Sequence, residues 1–157
     1  MKVSEVMTKK PVCCWPSSST LSAALLMQET DTGVLPVIQD RFTPTLVGVV
    51  TDRDLCLYVV ASGRDPSSSW VDGCMTLDPI CCTEQDELFL ALDLMKTHQI
   101  RRVPVVNEKH EVVGMLSFGD LVGKSHIDAN AIVAALQSIC EPAQVPKQGT
   151  RRIVSAA

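Results

Sequence analysis

The sequence predicts an α+β fold: two tandem β-α-β-β-α repeats packed sheet to sheet about a pseudo-twofold axis, followed by a C-terminal helix. Three observations predict it. The chain matches itself at a shift of 68 residues, which brings Met7 onto Met75. Within each copy the apolar spacing alternates between strand and helix periods in the same order. The 157 residues are 46% hydrophobic and 20% charged, which allows burial of roughly two-thirds of the unfolded surface without metal or disulfide.

The first copy begins with a short extended segment, residues 11–14, whose edge proline Pro11 has no N–H to lose. Ala23, Ala24 and Met27 then form the apolar stripe of a helix. Residues 35–38 and 46–50 are brief apolar runs joined by a polar loop, which predicts a two-stranded hairpin. A second helix starts at Thr51 and carries Leu55, Tyr58 and Val59. Residues 63–69, with Pro66 and three consecutive serines, read as the linker.

The second copy repeats the order. Residues 79–82 are extended, and Leu88, Ala91, Leu92 and Met95 follow i, i+3, i+4, i+7, with Asp86 as the expected N-cap. Residues 103–106 and 112–116 form the second hairpin, and Ser117 opens a helix carrying Leu121 and Val122. Asp128 starts the extra helix, with Ala129, Ile132, Val133, Leu136 and Ile139 or Cys140 on one face, and Glu141-Pro142 ends it. The expected organisation is therefore 1–64 and 65–127 for the repeats, 128–141 for the helix and 142–157 for a flexible tail. Neither copy alone has enough surface to hide two helices and three strands.

Fourteen Lys and Arg against 18 Asp and Glu give a net charge of −4. Such a chain lacks the clustered cations that nucleic acids and anionic membranes demand. Only Lys9-Lys10, Arg101-Arg102 and Arg151-Arg152 are locally basic. No apolar run approaches the ~18 residues of a membrane span, and residues 1–10 hold no continuous apolar segment like that of a signal peptide. The expectation is a soluble, cytoplasmic protein. Seven cysteines, Cys13, Cys14, Cys56, Cys74, Cys81, Cys82 and Cys140, form an odd set unlike a secreted disulfide framework, so reduced thiols are expected.

The sharpest recurrence is Gly-x-x-Thr/Ser-x-x-Asp: Gly48, Thr51 and Asp54, then Gly114, Ser117 and Asp120. Each copy ends a strand and opens a helix. One reading is a capping box, in which hydroxyl and carboxylate satisfy the orphan N–H groups of the first turn. The other is ligand binding, in which the carboxylate accepts both hydroxyls of a ribose while the hydroxyl and free N–H groups face a phosphate. The motif alone leaves both open.

The Met-Thr-x-x-Pro-Val/Ile opening, the Leu/Val-Pro-Val-Ile/Val strand and the Gly-x-x-Thr/Ser-x-x-Asp close occur twice in this order over about residues 3–125. Together they resemble a tandem pair of cystathionine-β-synthase-type (CBS) domains, a Bateman module. The resemblance implies an adenosine-nucleotide sensor that holds AMP, ADP, ATP or S-adenosylmethionine between its repeats, with no obligatory cofactor. It implies that the close of one repeat works with the opening of the other. One cleft would then use Ser117 and Asp120 with Thr8, Pro11, Val12 and Cys13, and the other Thr51 and Asp54 with Thr76, Pro79, Ile80 and Cys81. It also places Arg101 and Arg102 ahead of the central strand near the phosphate, where the first repeat has the uncharged Gly33 and Val34. Arg53 can supplement that side, whereas Gly119 at the matching place cannot. The clefts are therefore expected to be unequal.

Adjacent cysteines on a strand point to opposite faces and lack Cys-x-x-Cys spacing, so they read as small buried hydrophobes rather than metal ligands. His98, His110 and His126 fall on different elements. No metal site or catalytic constellation emerges, and the expected role is non-enzymatic: a regulatory module acting on its own or a partner's assembly, forming a homodimer and serving a regulated enzyme or transporter. A ligand-free oligomerisation scaffold is the main rival, and a thiol-based metal or redox sensor the third reading.

Overall fold

The computed structural model describes residues 1–125 and 127–141. His126, the expected tail at 142–157 and its Arg151-Arg152 pair lie outside the described residues. The architecture is α+β, with two sheets, flanking helices and a C-terminal helix. The elements are α1 (Val3–Val6), β1 (Thr8–Lys9), α2 (Thr20–Glu29), β2 (Val34–Ile38), β3 (Leu46–Thr51) and α3 (Asp52–Leu55). A π-turn at Cys56–Val60 continues α3, and a 3₁₀ turn at Val71–Gly73 leads into β4 (Thr76–Leu77). There follow β5 (Cys82–Thr83), α4 (Leu88–His98), β6 (Arg102–Val106), β7 (Val112–Ser117), α5 (Phe118–Lys124) and α6 (Ala129–Cys140).

Both expected hairpins form, β2 antiparallel to β3 and β6 antiparallel to β7. The opening strands cross over. β1 pairs with β7, placing Thr8 opposite Met115 and Lys9 opposite Gly114, and β4 pairs with β3, placing Thr76 opposite Val49 and Leu77 opposite Gly48. The sheets are β1-β7-β6-β5 and β2-β3-β4. The segment before each strand crosses too: Val3, Val6 and Met7 enter the core of Leu92, Val103 and Leu116, while Val71, Cys74 and Met75 join that of Leu35, Val37 and Val50.

This exchange gives the motif glycines a physical reason. A Cβ at Gly114 would collide with the Met7 sulfur, and one at Gly48 would lie 2.8 Å from the Thr76 carbonyl and 3.1 Å from the Met75 sulfur. The opening methionine of one repeat thus packs over the closing glycine of the other.

Several local expectations need correction. Ala24 is exposed, because α2 buries Thr20, Ala23 and Met27. Val122 is exposed while Leu121 is fully buried. Asp86 does not cap α4: Glu87 holds the N-cap position, and the Asp86 carboxylate accepts the Thr83 N–H (2.7 Å), closing the preceding turn. On α6, Asp128 caps as expected, but the inward face is Ile132, Ala135 and Ile139, packed against the second core, while Val133 and Leu136 are exposed. The reason is that α4 is the neighbour α6 packs on, and the chain's route from α5 fixes which side meets it. The serine-rich linker is tied down: the Ser69 carbonyl accepts the Thr20 N–H (2.8 Å), and the Pro66 carbonyl accepts the Thr20 hydroxyl (3.0 Å) and the Leu21 N–H (3.1 Å). These contacts satisfy orphan donors at the start of α2.

Candidate functional site

Each closing motif sits where its strand ends and its helix begins. The Thr51 N–H and hydroxyl both donate to Asp54 Oδ2, at 2.9 and 2.7 Å, and the Asp54 N–H donates back to Thr51 Oγ1 at 3.1 Å. Ser117 and Asp120 repeat the pattern at 2.9, 2.6 and 3.1 Å. Both motifs are therefore capping boxes.

A carboxylate offers about four lone-pair positions, two on each oxygen. The box uses those of Oδ2, which leaves Oδ1 for anything else. Asp54 Oδ1 has no hydrogen-bond partner among the described residues. Asp120 Oδ1 accepts from the Lys124 ammonium at 2.6 Å, and Lys124 also donates to the Val6 carbonyl at 3.4 Å, linking α5 to the end of α1. Burial alone would raise the Asp120 carboxyl, but the hydrogen bonds from Lys124 and Ser117, together with the Lys124 charge, hold it below its ordinary value. In the first repeat Tyr58 occupies the place of Lys124, and the Arg64 guanidinium lies over its ring at 4.5 Å.

A cavity of ≈ 330 Å³ opens between the repeats on the Ser117–Asp120 side. Thr8, Pro11 and Val12 of the opening segment line it, as do Val34, Arg102, Ser117 and Asp120. Cys13 is not in the lining; its thiol contacts the Pro11 carbonyl at 3.4 Å. Arg101 turns to α6, where its guanidinium reaches the Cys140 sulfur at 3.7 Å.

Sequence reasoning missed Lys10, Thr30, Asp31, Thr32, Pro36 and Met115, which also line the cavity. Thr30, Asp31 and Thr32 follow the end of α2, and only the packing of the repeats brings them beside Ser117 and Asp120. Two of these residues, Lys10 and Asp31, have left-handed backbones, φ 51° and 49°, unusual for non-glycine residues and visible only in the structure.

On the other side, Thr76 lies in β4 beside β3, which ends at Thr51, and Pro79, Ile80 and Cys81 follow it. Asp52 donates its N–H to the Gly33 carbonyl at 3.0 Å, and a Cβ at Gly33 would lie 2.6 Å from Asp52 Oδ2. That proximity accounts for glycine in the place where the second repeat has Arg101. Arg53 is exposed on α3.

Burial pushes the Cys13 thiol up to about 11 and the Cys14 and Cys82 thiols up to about 12, and it raises Cys81 as well. Such thiols stay protonated and unreactive near neutrality. Among the described residues no three His, Cys, Asp or Glu side chains gather as metal ligands.

The CBS domain family model matches residues 3–61 and 71–126. The chain belongs to the CBS domain family. A tandem CBS pair explains why the opening and closing motifs of opposite repeats meet. Hypoxic response protein 1 of Mycobacterium tuberculosis is 32% identical over 139 residues, 88% of this chain and 93% of that protein. A crystal structure of hypoxic response protein I with two coordinated zinc ions superposes with TM-score 0.72 at 28% identity, covering 80% of this chain and 99% of that one. The CBS pair of CBSX2 from Arabidopsis thaliana, solved in complex with AMP, gives TM-score 0.66 at 29% identity over 87% of this chain and 96% of that one. These neighbours share the two-sheet CBS-pair fold, and the CBSX2 pair was solved with AMP bound. Among the described residues no helix is long and apolar enough to cross a membrane.

Proposed function

We propose that the protein is a non-catalytic, cytoplasmic regulatory module in which repeats 1–64 and 65–127 fold as one unit around an adenosine nucleotide. The nucleotide, AMP, ADP or ATP in preference to S-adenosylmethionine, sits in the cleft closed by Ser117 and Asp120. The observation that carries this reading is the ≈ 330 Å³ cavity between the repeats, which gathers that motif, the opening segment 8–12 and the cations Lys10 and Arg102. Asp120 accepts the ribose hydroxyls, Pro11 and Val12 flank the base, and the Ser117 hydroxyl with Arg102 faces the phosphate. Hydrogen bonds to a carboxylate are worth about 1.5–3 kcal/mol, against about 0–1 kcal/mol for a half-exposed ion pair such as Asp120–Lys124. A ribose therefore displaces Lys124 from Oδ1. Since Lys124 also holds the Val6 carbonyl, ligand entry loosens α1, which is how occupancy reaches the rest of the module.

Calorimetric titration with AMP tests this. We expect saturable binding that is lost, by on the order of a hundredfold, in Asp120→Ala through its missing ribose contacts. A chain that gives no heat with AMP, ADP or ATP removes the proposal.

The capping boxes favour a second reading, a ligand-free scaffold. It predicts that Asp120→Ala lowers stability by the ~1 kcal/mol of a lost cap whether or not AMP is present. Leu21 and Leu25 on α2, and Phe89 and Leu90 on α4, are exposed and support homodimerisation under either reading. Light scattering should then give twice the 17.0 kDa chain mass, and a monomer at high concentration would refute it. The regulated partner is an enzyme or transporter.

A further inference from the structure

Helix α6 carries no charged residue from Ala129 to Cys140, whereas α4, on which it packs, carries Asp93 and Lys96. Its inward residues are Ile132, Ala135 and Ile139. Ala129, Val133, Leu136 and Cys140 are exposed. They stand four, three and four residues apart, which is the spacing of a coiled-coil seam.

The helix is held at both ends. Asp128 Oδ2 accepts the N–H groups of Asn130 (2.9 Å) and Ala131 (3.3 Å), and Gln99 Nε2 donates to the Ser138 and Glu141 carbonyls at 3.3 and 3.0 Å. Its 12 residues, about 18 Å of helix, are too few for a free coiled coil. Because α6 is already ordered on α4, pairing with it costs no helix formation.

We propose that the outward face of α6 pairs antiparallel with α6 of a second copy of this chain. The inference deepens the homodimer reading above and rests on it. One twofold axis between positions 134 and 135 sets Val133 opposite Leu136 of the second copy and Ala129 opposite Cys140 of the second copy, so the larger side chains meet in the middle and the smaller ones at the ends. Charge selects both the partner and the direction. Two chains of net charge −4 repel over most of their surfaces, and this face brings no like charges together along its length. At each end Asp128 of one copy arrives beside Cys140 of the other, where the Arg101 guanidinium lies 3.7 Å from the sulfur and forms no ion pair among the described residues. Glu141 shares that end, so the guanidinium meets two carboxylates. A parallel pair would instead set Arg101 against Arg101 and Asp128 against Asp128, and would align the two helix dipoles.

The test is sedimentation of the full chain, comparing the native protein with Val133→Glu, Leu136→Glu and Arg101→Glu, all at exposed positions, with far-UV circular dichroism to show that each variant is folded. We expect a native dimer, weakened about a hundredfold by either seam glutamate and about fivefold by Arg101→Glu. Direction is read by cross-linking in a Cys56→Ser background, which removes the other exposed thiol. There Ala129→Cys should give a disulfide-linked dimer through Cys140 on oxidation with diamide, and Cys140 alone should give none. Cross-linking of Cys140 to Cys140 overturns the antiparallel register. A dimer untouched by Val133→Glu and Leu136→Glu overturns the assignment to α6 and leaves the homodimer standing. A native chain that stays a monomer leaves the face to a different protein and overturns both.

Discussion

The two closing corners have the same hydroxyl and the same carboxylate, held by the same three hydrogen bonds, yet they offer a ligand different things. Asp54 keeps one oxygen free of protein donors among the described residues, while Asp120 gives that oxygen to Lys124. The cavity described above lies on the Lys124 side. Identical motifs therefore specify the cap, while the residues one helical turn later and at the opposite repeat's entry set different surroundings for the two carboxylates. A motif match by itself says nothing of this, because the residues that differ, Lys10 against Asp78 and Lys124 against Tyr58, lie outside it.

Altering the closing glycines should separate the halves most. At Gly48 an added methyl meets the Thr76 backbone carbonyl, which cannot move without breaking the β3–β4 pairing; at Gly114 it meets only the flexible end of Met7. Gly48→Ala should cost about 1–3 kcal/mol, in the range of overpacking, and Gly114→Ala less than about 1 kcal/mol. Urea denaturation of both variants measures the difference, and equal losses would mean that the two crossings are equally rigid.

The smaller effect belongs to Lys124. Its side chain is 54% exposed and that of Asp120 11%, so removing the pair should cost little in the free protein. Lys124→Met should tighten AMP binding by about two- to fivefold, because the ribose no longer competes for Oδ1. The same variant has an acid signature. The folded Asp120 carboxyl lies below its ordinary value, so its contribution to stability is present above the unfolded value near ~3.9 and is lost as pH falls through the lower folded value. Without Lys124 the depression shrinks and the acid limb of the melting curve should move to higher pH. Superimposable limbs would show that Ser117 alone sets the shift.

Much of the fold is legible along the chain because duplication and periodicity are local properties. Leu88, Ala91, Leu92 and Met95 are all buried, as their spacing requires. Ala24 and Val133 share helical spacing with buried residues but face outward, since a stripe drawn from sequence does not say how far round the helix the neighbour extends. The cavity was only partly legible for the same reason: Thr30, Asp31 and Lys10 are polar residues at element ends, and nothing in their own neighbourhoods says that another repeat approaches.

Sequence by itself determined the duplication, the order of the repeated helices and hairpins, and the place of the two closing motifs at strand-to-helix corners. Those depend on side-chain period and on backbone-satisfying residues at helix starts, which act over a few residues, and on a repetition that is read by matching the chain to itself. Only the tertiary structure decided which face of α6 is inside, that Lys124 occupies Asp120, and that a cavity on that side is ringed by Lys10 and Arg102. Those are set by contacts between residues as much as 118 positions apart, as between Lys124 and Val6, and such distances leave no mark on local composition.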